Sequence, residues 1–92
     1  MRKSIESPDD VREKIVRFIK NNFMRNSSDQ LTYEYPLLLE GVIDSLSMMT
    51  TILFLEKQFK LDFSVIDIKR DDFTNVNTIC NLVCSNLKAN EL

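Results

Sequence analysis

Apolar residues recur along this chain at helical spacing in separate blocks, with polar stretches between them. In the first block, Val11, Ile15, Phe18, Ile19 and Phe23 form one stripe, and Arg12, Glu13, Lys14, Arg17 and Lys20 occupy the other faces as a solvated surface. Ser7 reads as the N-cap of this helix, with Pro8 at the first helical position and Asp10 at the third, an acidic variant of the capping box. The second block runs from Ser45 to Phe59 without Gly or Pro. Its apolar positions, Leu46, Met49, Leu53 and Met48, Ile52, Leu55, Phe59, predict a helix with a buried face, capped by Asp44. The last block predicts a helix over about Val76 to Leu87, with Ile79, Leu82, Val83 and Leu87 toward the core and Asn75 or Asn77 near its cap. Residues Lys88 to Leu92 are expected to fray.

Between the first two blocks, from Asn26 to Ile43, the helical period disappears, and Asn26-Ser27-Ser28-Asp29 and Tyr33-Glu34-Tyr35-Pro36 read as an extended connection. A connection this long stays ordered by tucking apolar side chains inward, and Leu31, Leu37, Leu38 and Leu39 are available for that. Tyr33 and Tyr35 are expected to pack within it. After Phe59, the alternating Lys60-Leu61-Asp62-Phe63 leads to a turn or two of helix over Ile66 to Arg70, because a single strand would have no partner there. The expected fold is all-α: a small antiparallel four-helix bundle with a long loop between helices 1 and 2 and a short third helix.

The chain has 92 residues, enough for one core, so a single domain over 1–92 with its packed part at about 8–87 is expected. With 43% hydrophobic and 28% charged residues, the composition is that of an ordinary folded domain. The formal charge of −2 offers no basic field to nucleic acid or anionic lipid. The N-terminal segment lacks an apolar signal core and nothing later is long and apolar enough to span a bilayer, so a cytoplasmic location is the expectation. Nothing in the pattern calls for more than a monomer. Cys80 and Cys84, the only cysteines, sit four apart with Ile79, Val83 and Leu87 and read as small buried hydrophobes. Without histidine or a second cysteine pair, the usual zinc spacings are absent.

Chemistry concentrates at Leu38-Leu39-Glu40-Gly41-Val42-Ile43-Asp44-Ser45-Leu46. A serine at the first position of a helix projects its hydroxyl toward solvent. A phosphate esterified there would lie near unpaired backbone N–H groups and the positive end of the helix dipole. Intrinsic catalysis is not expected: a serine nucleophile needs a base, the chain has no histidine, and a capping carboxylate at Asp44 is committed to backbone N–H groups. The single glycine also excludes a glycine-rich phosphate loop.

Gly41-Val42-Ile43-Asp44-Ser45-Leu46 resembles the Gly-x-x-Asp-Ser-Leu attachment motif of acyl and peptidyl carrier proteins. Glu56-Lys57-Gln58-Phe59 is similar to the end of that family's second helix, and Asp71 through Ile79 to its entry into the last helix. The resemblance covers roughly Pro8 to Leu87 and accounts for the long loop. It implies that Ser45 receives 4′-phosphopantetheine from coenzyme A through a phosphopantetheinyl transferase, with Asp44, Leu46 and Gly41 as motif context. It also implies that the arm's thiol carries acyl, aminoacyl or related intermediates for an activating ligase or synthase. Carriers of fatty-acid synthesis have a strongly acidic second helix, whereas Ser47, Thr50, Thr51 and Lys57 stand here beside the one acid Glu56. Recognition would then lean on Leu46, Met49, Thr50 and Leu53, as in specialised stand-alone carriers of specialised-metabolite, D-alanyl or aminoacyl pathways. Met48, Met49 and Leu53 read equally as core or as partner contacts. The alternative function is a small helical adaptor that binds a partner helix and carries no prosthetic group.

Overall fold

The computed structural model describes residues 7–26, 30–63 and 68–90. Among them are three α-helices, α1 (Pro8–Phe23), α2 (Ser45–Phe59) and α3 (Val76–Asn90), with a 3₁₀ turn at Arg70–Phe73 and no strand. The all-α expectation holds. Each helix starts on a cap written locally in the sequence. Ser7 Oγ accepts from the Asp10 N–H at 3.2 Å. At α3, Asn75 Oδ1 accepts from the Thr78 N–H at 2.9 Å while Thr78 Oγ1 accepts from the Asn75 N–H at 3.0 Å, so Asn75 is the cap. Asn77 does something else: its Oδ1 accepts from Arg12 Nε at 2.9 Å and ties α3 to α1.

The core gathers Val11, Ile15 and Ile19 of α1, Leu55 and Phe59 of α2, and Val76, Ile79, Cys80 and Val83 of α3 around the buried ring of Phe73. The longest helix contact is between α1 and α3. Contact between α1 and α2 is aromatic, with Phe18 stacked on Phe54 at a centroid distance of 4.0 Å and each ring meeting Phe23 or Phe59 edge-on. Thr51 is fully buried despite its hydroxyl, which donates to the Ser47 carbonyl at 2.8 Å and so carries no unsatisfied group into the core.

Four details differ from the sequence reading. Leu31 and Leu37 are buried and Leu38 half-buried as expected, but Leu39 is 85% exposed, because consecutive residues of a tight turn cannot all face inward. In α2, Met49 and Leu53, open in the sequence between core and partner contact, are exposed, and so is Leu46, which the apolar stripe had placed on a buried face, since apolar residues there cover a wider arc than the core contacts. Of the short helix expected over Ile66–Arg70, residues 66 and 67 lie outside the described residues. Ile68 and Lys69 are not helical, and the turn forms instead at Arg70–Phe73, where the Lys69 N–H donates to Asp72 Oδ2 at 2.8 Å and Phe73 enters the core. Finally, α3 continues to Asn90, past the expected end at Leu87, as no Gly or Pro stops it.

The long connection is fastened to the start of α3. The Leu37 N–H donates to the Thr74 carbonyl at 2.8 Å and the Asn77 N–H to the Tyr33 carbonyl at 3.1 Å. Tyr33 packs as expected, with its hydroxyl bonded to Glu13 and its ring under the Arg12 guanidinium. After Pro36 the chain coils through Glu40 N–H to Pro36 carbonyl and Gly41 N–H to Leu38 carbonyl bonds, then reverses at Gly41, whose φ is 77°. A side chain at Gly41 would meet no neighbour, so glycine is required there by backbone conformation alone.

Two substitutions separate these contributions in urea denaturation. Phe73→Ala, which empties the fully buried ring position, is expected to lose about 3–5 kcal/mol. Gly41→Ala, which meets no clash, is expected to lose only about 1 kcal/mol from the left-handed backbone.

Candidate functional site

The turn that ends at Gly41 delivers the start of α2. Val42 is half-buried and Ile43 fully buried, with the Ile43 N–H donating to the Leu37 carbonyl at 3.1 Å, so the chain enters α2 from a fixed direction. Asp44 is then extended (φ −119°, ψ −168°) and caps the helix. Its Oδ1 accepts from the Ser47 N–H at 2.9 Å, and Ser47 Oγ accepts in return from the Asp44 N–H at 2.8 Å. The Ser47 hydroxyl also lies 2.9 Å from Asp44 Oδ1, placed to donate its proton to the carboxylate.

These bonds from the Ser47 amide and hydroxyl, helped by the Leu46 amide, hold the Asp44 carboxyl below the ordinary aspartate value. Asp44 is therefore ionised at neutral pH and committed to the helix start. It is not poised to take a proton from its neighbour.

Ser45 is the first residue of α2 and is exposed. Among the described residues its hydroxyl has no hydrogen-bond partner, so the oxygen is free to be substituted without breaking a bond of the fold. The first-turn amides beside it are the ones a helix cannot satisfy internally. A phosphoester at Ser45 Oγ suits this position, at the exposed positive end of the helix, and would lie away from the adjacent Asp44 carboxylate.

Leu46 is 78% exposed, Met49 57% and Leu53 61%, and Thr50 is exposed between them. Together they form an uncharged apolar strip along α2 that begins next to Ser45. Met48, the third suspect, is half-buried against the core. On one flank Leu46 and Thr50 border an open groove of about 330 Å³ whose far wall is Phe23 of α1. Ser45, Leu46, Met49, Thr50 and Leu53 thus share the exposed side of α2, with Asp44 at its start, while Met48 faces the core.

Two residues here escaped the sequence reading. Ser47 is the reciprocal partner in the cap, and its signal was the Asp-x-x-Ser spacing, with serine where glutamate or glutamine is usual. Leu39, an exposed leucine in the turn before Gly41, had no local signal that set it apart from Leu37 and Leu38.

No protein-family model matches the chain. It is similar to the D-alanyl carrier protein of Streptococcus suis, with 33% identity over 70 residues, which is 76% of this chain and 86% of the relative. It is similar over the same shares to the D-alanyl carrier proteins of Streptococcus sanguinis, at 30% identity, and Streptococcus gordonii, at 31%.

The cap has a pH signature. Because the folded carboxyl titrates below the ordinary aspartate value of 3.8, its contribution to stability is fully present above that value and is lost as pH falls through the lower folded one. Thermal melts by circular dichroism from pH 6 downward are expected to show Asp44→Asn less stable at neutral pH. The gap to the parent chain should narrow below about pH 4.

Proposed function

This chain belongs to the acyl and peptidyl carrier protein family, and we propose that Ser45 is its attachment site for 4′-phosphopantetheine. When bound, that group supplies a terminal thiol on which acyl, aminoacyl or related intermediates travel as thioesters. The observation that carries the reading is the exposed, unengaged hydroxyl of Ser45 at the first turn of α2. Asp44 and Ser47 keep that turn formed, Gly41 reverses the chain toward it, and the side chain of Leu46 stands in solvent beside it.

The chain itself is a substrate and not an enzyme. A phosphopantetheinyl transferase with coenzyme A modifies it, and an acyl- or aminoacyl-activating ligase or synthase loads it. The name of its relatives favours an aminoacyl cargo, with D-alanine the first to test. Partners dock on Leu46, Met49, Thr50 and Leu53, whose solvent exposure supports a role outside the core. An apolar strip with no acid among these four residues gives little long-range steering, so binding depends on fit once the surfaces meet. No helix among the described residues is long and apolar enough to cross a membrane. We place the carrier in the cytoplasm as a monomer.

Intact mass after incubation with coenzyme A, Mg²⁺ and a broad-specificity transferase tests the site. One phosphopantetheine is expected on the parent chain and none on Ser45→Ala, whose melting temperature should stay close to the parent's. Failure of the folded parent to load would move the reading to a helical adaptor without a prosthetic group. For the docking strip, Met49→Ser with Leu53→Ser is expected to raise the KM of the activating ligase about tenfold or more while leaving the fold intact, as for loss of interface anchors.

A further inference from the structure

We infer that Cys80 and Cys84 form a paired-thiol oxidation site in α3, one that a peroxide closes to an intrahelical disulfide at the expense of the helix around it. The two sulfurs lie 3.7 Å apart, already in contact. They are the only cysteines of the chain and both are free thiols. Their exposures differ in a way that assigns an order. Cys84 is half-buried and reachable, whereas Cys80 is 1% exposed, with its thiol placed to donate to the Pro8 carbonyl at 3.6 Å. Burial, the adjoining Cys84 thiol and Asp9 push the Cys80 thiol up to about 11, and Arg12 opposes them. Cys84 is therefore the thiol that meets the oxidant and Cys80 the one that resolves it.

The chemistry balances with hydrogen peroxide as the only co-reactant. The Cys84 sulfur attacks one peroxide oxygen, the O–O bond breaks, and a sulfenic acid and one water result. The Cys80 sulfur then attacks the Cys84 sulfur, the S–O bond breaks, and the departing hydroxide leaves as a second water with the Cys80 proton. Two thiols are oxidised by two electrons and one peroxide is reduced.

What distinguishes this pair from a stabilising disulfide is where it sits. Residues four apart on a helix hold their Cβ atoms about 5–6 Å apart. A disulfide needs about 3.5–4.5 Å. Sulfur contact exists before oxidation, but the bond itself must draw one turn of α3 together. That turn carries Val83 and follows Ile79, both fully buried. Its deformation is transmitted to the core that α1 and α3 share. The bond formed is strained, and strained disulfides are the easily reduced ones.

The test uses the full chain in the Ser45→Ala background, so that these are its only thiols, with Cys84→Ser as control. Treatment with stoichiometric hydrogen peroxide is expected to give a monomer lighter by two hydrogens, with the Cys80 and Cys84 peptides joined, restored by dithiothreitol and absent in the control. The oxidised monomer is expected to melt about 4 °C or more below the reduced one. Sulfinic acid, disulfide-linked dimers or unreacted thiols as the only products would overturn the site. A joined pair with an unchanged or raised melting temperature would overturn the strained closure.

Discussion

Two backbone hydrogen bonds, from the Leu37 N–H to the Thr74 carbonyl at 2.8 Å and from the Asn77 N–H to the Tyr33 carbonyl at 3.1 Å, fasten the long connection to the entrance of α3. The first of them sits at the base of the turn that leads into α2. Much of the functional end depends on it. With Leu37 held and its side chain fully buried, the carbonyl of the same residue receives the Ile43 N–H, so the intervening turn is closed at its base. Asp44 follows directly, and α2 starts where that closed turn points it. A loop lacking both bonds would have to hold the helix start through side-chain packing, with the conformational entropy of the connection against it.

The position of Ser45 shows how a small fold presents an exposed hydroxyl without spending its core on it. The polar side chains on either side of it are engaged: the Asp44 carboxylate with the Ser47 amide and hydroxyl, and the Ser47 hydroxyl with the Asp44 amide. The serine between them is the exception. The cap bonds run between Asp44 and Ser47, so a group on the Ser45 oxygen would leave them in place. The exposed apolar strip of Leu46, Met49 and Leu53 then stands next to Ser45 on the same helix.

Much of this was legible in the residues. The cap at Ser7, the cap at Asp44 and the bounds of α2 follow from patterns that close within three or four positions, and the attachment motif with its family resemblance is as local. The α2 stripes were legible as apolar but not as buried or exposed. Both sets have helical spacing, and only the positions of α1 and α3 decide that Leu55 and Phe59 enter the core while Leu46, Met49 and Leu53 do not. The 3₁₀ turn at Arg70–Phe73 was misplaced for a similar reason: the ring of Phe73 is drawn into a core assembled from all three helices.

By itself, then, the sequence determined the three long helices, the caps at Ser7 and Asp44 and the serine at the mouth of α2, because each rests on apolar spacing or hydrogen bonds spanning a few residues. Tertiary structure alone decided that Leu39 faces solvent while Leu37 is buried, that Asn77 reaches Arg12 instead of capping α3, and that Cys80 is sealed beneath Pro8 while Cys84 remains reachable. Those outcomes depend on which distant segment covers a given face, and burial is settled by the whole packed core, not by neighbours along the chain.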